Sequence, residues 1–296
     1  MNLFSISQLS QFSGIKPHTI RIWEQRYSAL KPNRSEGNTR YYDGIQLRRL
    51  LNIVSLMNNG LKVSQLCSMT DDKLFSLVFD YHKSDLSESA EYYVSQLISA
   101  GMSYDEAHFE KVFSQCLRNF GMKKAYIRVI YPLLLRIGLM WASNIIPTTQ
   151  EHFISNIIRQ KLSASIDSLP GADLLSDSWL LFLPENEFHE IGLLFAHYIL
   201  RFSARKVIYL GSNVPIESVF SAIRETKPHN LLLFLVHHDL PVLIQENLDQ
   251  LNVYFTGKKI YVAGNKKLIS QIKSSGKIQC LQTIESLEQI LQFNEV

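Results

Sequence analysis

The apolar positions of the chain fall into three successive patterns. Over the first sixty residues they recur at spacings of three and four: Ile6, Leu9 and Phe12, then Ile20, Trp23 and Tyr27, then a longer run from Asp43 to about Asn59. Such spacing lines one face of a helix. Ser5 followed by Gln8 predicts a capping box on the first helix, which Gly14 breaks. Lys16-Pro17 opens the second, with proline in the first turn, where its missing N–H costs nothing. Between the second and third helices, Gly37-Asn38 predicts the tight turn of a β-hairpin with Arg34 and Arg40 on its arms. Asp43 then caps the third helix and Gly60 ends it.

From Asp71 to Ser168 the helical period continues almost without strand signals. It predicts helices over 71–83, 86–100, 105–118, 122–141 and 149–168, with breaks at Ser84-Asp85, Gly101-Met102 and Asn144–Pro147. Tyr92, Tyr93, Leu97 and Ile98, and then Ile127, Ile130, Leu134, Ile137 and Leu139, supply apolar faces for a bundle of four or five helices. Leu169-Pro170-Gly171 reads as a linker, and beyond it the period changes. Trp179–Leu183, Lys206–Leu210, Leu231–Val236 and Ile260–Val262 are short runs, apolar almost throughout, separated by helical stretches. Such runs suit strands buried on both faces, hence a doubly wound parallel α/β sheet whose ligands sit outside the carboxyl ends of the strands. The expected fold is multidomain, α followed by α/β: a winged helix-turn-helix over 1–72, a helical bundle over 73–170 and a doubly wound domain over 176–296.

Charge sharpens this division. Residues 1–70 hold nine Lys and Arg against three acids, although the whole chain carries a net charge of only +3. A basic head on a mildly acidic body points to a polyanion-binding module joined to something else. The three cysteines, Cys67, Cys116 and Cys280, form no C-x-x-C pair, which argues against a disulfide framework and a cysteine-bound zinc. No basic segment followed by an apolar one opens the chain, and stretches such as Ile191–Leu200 are about half the length a membrane span needs. A cytoplasmic protein with no membrane partner is expected.

On the second helix His18, Arg21 and Gln25 project from the side opposite the apolar stripe, with Thr19 beside them. That geometry suits entry into a major groove of double-stranded DNA, while Arg34, Arg40 and Tyr41 on the wing can reach phosphates. The string Ile6-x-x-Leu9, Ser13-Gly14, Thr19-Ile20-Arg21-x-Trp23-Glu24-x-Arg26-Tyr27, Pro32, Arg34, Asn38-x-Arg40-x-Tyr42 resembles the DNA-binding domain of MerR-type transcription regulators. Trp-Glu-x-Arg-Tyr is the form found in their cobalamin-sensing branch. The resemblance implies a repressor that binds promoter DNA as a homodimer or tetramer.

Two further clusters stand out. Trp141 ends one bundle helix and Glu151-His152 opens the next. Alone, such a pair is more often a capped or hydrogen-bonded surface pair. Within Tyr131-Pro132-x-Leu134, Ile137-Gly138-x-x-Trp141 and Glu151-His152, however, it resembles the bundle that covers cobalamin in regulators of the CarH/LitR type. There the Trp lies over the upper axial group of adenosylcobalamin. In the tail, Glu187-x-His189-x-x-Gly192 falls in the loop after the first strand. A neutral imidazole is a good ligand for cobalt, and a nearby carboxylate can accept its other N–H and orient the ring. The spacing resembles the Asp-x-His-x-x-Gly signature of flavodoxin-like cobalamin-binding domains, which implies His189 as the lower cobalt ligand and Glu187 as its orienter.

Around this loop the resemblance adds Gly192, Ser212, Asn213, Val214, Phe234 and Gly264 to the cofactor-binding residues. The later family signatures, Ser-x-Leu and Gly-Gly, fall here on Phe234-x-Val236 and Ala263-Gly264. In the family these positions line the slot for the displaced nucleotide tail. Some related photoreceptors trap the cobalt after illumination with a histidine directly following the bundle Trp; here that position is Ala142. The reading that results is a non-enzymatic DNA-binding regulator under a cobalamin-type, and in its relatives light-responsive, sensor. Two rivals stand beside it: a MerR-type regulator independent of cobalamin and controlled by a protein or another ligand, and a corrinoid-carrier subunit of a methyltransferase or mutase.

Overall fold

A computed structural model describes residues 3–34, 39–58, 60–71, 73–74, 77, 90–142, 146–172, 176–236, 241–273 and 276–293. The chain forms two compact units, residues 1–157 and 158–296. The first unit opens with α1 (Ile6–Ser13), which carries the Ser5–Gln8 capping box and ends at Gly14 in the left-handed region. It continues with α2 (Pro17–Tyr27), with proline in its first turn. Leu9, Phe12, Ile20 and Trp23 are buried, as their spacing predicts. Tyr27 is not: it is exposed, because the chain leaves the helix at Ser28 in a left-handed conformation and Ala29 and Leu30 fill the core instead.

The wing is a pair of antiparallel strands, β1 (Asn33–Arg34) and β2 (Arg40–Tyr41), with Arg34 opposite Arg40. Its expected turn at Gly37-Asn38 lies outside the described residues. Next to it, the Phe4 and Tyr42 backbones exchange two hydrogen bonds of 2.7 and 2.8 Å, which fasten the start of the chain to the wing. Asp43 caps α3 (Gly44–Asn58) by accepting from the Gln46 N–H at 2.9 Å, and α4 (Val63–Cys67) follows.

The predicted helix over 71–83 falls almost wholly outside the described residues. The bundle that follows comprises α5 (Ala90–Met102), α6 (Glu106–Ala125), a π-turn at Tyr126–Ile130, α7 (Tyr131–Ala142) and α8 (Thr148–Asp167). Two differences from expectation have local causes. Gly101 does not break α5: it lies within the helix because a β-carbon there would meet Ile154 Cδ1 at 2.2 Å, so glycine permits close approach of α8. The break expected between 118 and 122 is a kink at Gly121 (φ 69°, ψ 162°), after which the π-turn holds an extra residue and shifts the phase of the apolar face. Tyr126, Val129, Ile130, Leu133, Ile137 and Met140 are consequently buried, while Ile127 and Leu134 are only half-buried. The head is joined to the bundle by a buried polar chain in which Gln96 donates to Asn52 Oδ1 at 3.2 Å and lies 3.2 Å from His108 Nε2.

In the second unit five parallel strands, β3 (Ser178–Pro184), β4 (Lys206–Val214), β5 (Asn230–Leu235), β6 (Lys259–Gly264) and β7 (Ile278–Cys280), pair in the order β4-β3-β5-β6-β7. Leu180, Phe182, Leu231, Leu233, Ile260 and Val262 face one layer of helices, and Trp179, Leu181, Leu232 and Tyr261 are buried on the other face. Four strands match the apolar runs. The short strand β7 carries no such run, because at the sheet edge only Ile278 is buried. The order places β3 between its two sequence successors, so the connections after β3 and β5 part at their carboxyl ends, where α/β sheets take ligands.

Arg49 on α3 clamps the head. Its guanidinium donates to the carbonyls of Ala29 (2.7 Å), Met69 (3.0 Å) and Cys67 (2.8 Å) and pairs with Asp71. A planar fork satisfies several carbonyls at once, which an ammonium cannot do in the same geometry. Arg49→Ala should therefore cost about 3 kcal/mol of stability, and Arg49→Lys should recover less than half, read from urea unfolding of both variants.

Candidate functional site

In the head, His18, Arg21 and Gln25 are exposed on one side of α2, and Thr19 is partly exposed beside them. Arg34 is exposed, whereas Arg40 and Tyr41 are half-buried. The structure thus brings the predicted base-reading residues onto one helical face. It also reveals a residue that spacing does not single out. Glu24, its side chain 7% exposed, accepts from the Tyr42 hydroxyl and lies 3.4 Å from Arg40 Nε. Burial, followed by the Glu24 hydrogen bond, pushes the Tyr42 phenol far above its ordinary range, so it remains a donor. Glu24 therefore joins the reading helix to the wing. Of the nine basic head residues, Arg40 and Arg49 are held by acids, which leaves less of the charge excess for a polyanion.

In the bundle, Trp141 is 47% exposed and donates its indole N–H to Thr148 Oγ1 at 3.2 Å. Thr148 begins α8, so this bond ties the end of α7 to the turn that carries Glu151 and His152. These two form their own pair, His152 Nδ1 to Glu151 Oε2 at 2.8 Å, with the imidazole largely exposed. Tyr131 and Leu135, on the same helix as Trp141, are also about half exposed. Tyr131 and Leu135 lie four residues apart, one helical turn, and Trp141 stands at the end of the same helix.

In the second unit, the loop after β3 places Glu187 and His189 at the carboxyl edge. Glu187 is 5% exposed. Its Oε1 accepts from the backbone N–H of Phe188 (2.9 Å) and His189 (3.0 Å) and lies 2.6 Å from His189 Nδ1; its Oε2 accepts from the Val236 N–H at 2.8 Å. The carboxylate acts as acceptor, so Nδ1 carries the proton and the lone pair of the neutral ring is on Nε2. The ring itself is about half exposed. A buried carboxylate orienting a half-exposed imidazole fixes which ring nitrogen faces outward.

The neighbouring predicted residues hold the loop in shape. Asn213, in a left-handed conformation at the end of β4, accepts the Asn186 N–H on its side-chain oxygen at 2.9 Å and donates its own N–H to the Glu187 carbonyl at 3.0 Å. Ser212 and Val214 flank it, half-buried. Gly192 faces Phe234: a β-carbon at 192 would lie 3.0 Å from the phenyl ring. Phe234 in turn stands beside Ala263 in the sheet register, and at Gly264 a β-carbon would fall 2.1 Å from the Leu235 carbonyl oxygen. The recess between Phe182, Pro184, Val214, Leu233 and Leu251 holds about 20 Å³, room for about one water. At the imidazole end the site offers one ring nitrogen, on a ring held by a buried carboxylate.

Glu190, Tyr209 and Arg159 also meet at this edge, and no spacing signal marks them. They come from three elements far apart in the chain, so only folding juxtaposes them. Among the described residues no group of three or more His, Cys, Asp and Glu is placed to hold a metal, and no helix is long and apolar enough to cross a membrane.

Residues 4–71 match the MerR HTH family of regulatory proteins and residues 85–165 match a B12 binding domain. The chain is 27% identical over 229 residues to the HTH-type transcriptional repressor CarH of Myxococcus xanthus, covering 76% of each chain. It is 24% identical over 238 residues to the repressor CarA of the same organism, covering 80% of this chain and 77% of that one. Among solved structures, the monomethylamine corrinoid protein of Methanosarcina barkeri aligns at a TM-score of 0.49 and 15% identity over 67% of this chain and 96% of the other. The chain is a homologue of the CarH and CarA transcriptional repressors, built from a MerR helix-turn-helix domain joined to a B12 binding domain.

Proposed function

We propose that this protein is a cytoplasmic transcription repressor, not an enzyme, whose hold on promoter DNA is set by a bound cobalamin in the adenosyl form. The observation that carries this reading is the Glu187–His189 cradle at the switch point of the sheet, on the same chain as a helix-turn-helix head. Residues 1–72 would read DNA, residues 73–170 would cap the cofactor and residues 176–296 would hold its lower face. His189 supplies the lower cobalt ligand and Glu187 keeps its ring in the correct tautomer and tilt. Trp141, Glu151 and His152 would be the bundle residues that hold the same cofactor. When bound, the cofactor would supply a light-sensitive cobalt–carbon bond. The chain contributes no second nitrogen ligand next to Trp141, since Ala142 has no lone pair. The relatives named above are repressors, which favours this reading over a corrinoid carrier.

The head of one chain covers one half-site, so a homodimer or tetramer binding a roughly palindromic operator is the expected assembly. Arg21→Ala should weaken specific binding about 10- to 100-fold and relax sequence choice at one position of each half-site. Arg34→Ala, on the exposed arm of the wing, should weaken all sequences alike and lower the salt slope by about 1 in a filter-binding titration.

His189→Ala should abolish the visible colour that wild-type protein acquires with adenosylcobalamin, and leave the far-UV circular dichroism unchanged, since the residue stands on a loop. A wild-type protein that stays colourless with adenosyl-, methyl- and hydroxocobalamin would retire the cofactor and promote the cobalamin-independent regulator. Illumination of the loaded protein should change its spectrum without bis-imidazole absorption. The appearance of that absorption would place His152 or another histidine on the metal.

A further inference from the structure

His189 is followed by a second carboxylate that is held as deliberately as the one before it. Glu190 stands at the N-terminus of α9 (Ile191–Phe202), and its carbonyl accepts the first helical bond from Leu194 at 2.9 Å. Its Oε1 accepts the Tyr209 hydroxyl at 2.8 Å, and its Oε2 lies 3.4 Å from Arg159 Nε on α8. The carboxylate side chain is 19% exposed, so its charge needs these partners. Arg159 is 41% exposed, and a pair so open to solvent contributes little. The Tyr209 hydroxyl is the stronger anchor. Tyr209 belongs to β4, and its ring stacks on His197 at 5.0 Å and 17°. Burial, then the Glu190 bond, push its phenol far above the ordinary range, and burial lowers the His197 imidazole to about 4. The ring pair is therefore neutral and fixed, and Tyr209 remains a donor.

His189 thus lies between two anchored acids. Glu187 ties the loop to the end of β5 through Val236, while Glu190 ties it to β4 and α8. The two bonds control different quantities. A bond at Nδ1 sets the tilt of the ring, whereas the backbone at residue 190 sets how far the ring stands out from the sheet edge.

We propose that Glu190, held by Tyr209 and steadied by Arg159, is a positioning residue that sets the reach of His189 toward an axial metal. This rests on the cobalamin reading for the metal, but the hold on the loop is a property of the protein alone. Loss of an outer-shell partner of a metal ligand ordinarily weakens metal binding about 10- to 100-fold. Glu190→Gln retains an acceptor for Tyr209 and should behave nearly as wild type. Glu190→Ala and Tyr209→Phe remove the anchor.

Two measurements on the full chain test this. In the cofactor-free protein, amide exchange at residues 187–191 should be about 10-fold faster in Glu190→Ala and Tyr209→Phe than in wild type and Glu190→Gln, with the strand amides of β3 and β5 unaltered. After loading 15N-histidine-labelled protein with hydroxocobalamin and reduction to the cobalt(II) form, electron paramagnetic resonance should show the twofold splitting of a bound 15N imidazole, in place of the threefold splitting of the cofactor's own base, in wild type and Glu190→Gln. The two anchor variants should load about 10-fold more weakly and lose part of that splitting. Unaltered exchange, unaltered splitting, or an equal loss in Glu190→Gln would each overturn the proposal. If wild type takes up no corrinoid, the cofactor reading and its cobalt role for Glu190 both fail. The exchange experiment then decides by itself whether Glu190 holds His189.

Discussion

A single buried carboxylate organises the carboxyl edge of the sheet. Removing a charge from water is expensive unless every lone pair finds a donor, and Glu187 meets this condition with three backbone N–H groups and one imidazole. Three of these donors lie in its own loop, but the fourth, Val236, lies just past β5. The acid therefore bridges the point where the connections from β3 and β5 part. Phe234 stands on β5 two residues before the backbone N–H that serves the acid. The phenyl ring is accommodated because residue 192 has no β-carbon.

The head uses the same device. Glu24 projects from α2 into a half-closed site where the Tyr42 hydroxyl and the Arg40 guanidinium meet it. A reading helix and a wing are each too short to hold a fixed relation by apolar contact alone. A buried acid with partners on the wing fixes their relative position. Arg49 reverses the polarity, with one guanidinium collecting the carbonyls left open where α2 and α4 end. In both cases, side chains that count as charge in the composition work as hydrogen-bonding hubs in the fold.

The bundle solves a different problem, which is to keep one apolar face buried along a long helical stretch. Along 106–142 the chain would drift in phase as a straight α-helix. The kink at Gly121 and the π-turn at 126–130 reset it, so that Leu133, Ile137 and Met140 turn inward. Tyr131, Leu135 and Trp141 then remain half exposed on α7. The Trp141–Thr148 bond ties the end of α7 to the start of α8.

Much of this was legible in the chain itself. The resemblance to the Asp-x-His-x-x-Gly signature supplied the pairing of His189 with Glu187, and local signals placed the capping box at Ser5, the proline start of α2 and four of the five parallel strands. These depend on neighbours in sequence, where spacing alone dictates geometry. Tertiary structure decided the rest. Gly101 looked like a helix stop until Ile154 took the place of its missing β-carbon, and Tyr27 left the core because Ala29 and Leu30 entered it. Strand β7 carried no signal because an edge strand buries too little to need one. Glu24, Glu190, Tyr209 and Arg159 were silent for a common reason. A buried or half-buried charge is specified by the donors around it, and those donors come from segments that only the completed fold brings within hydrogen-bond distance.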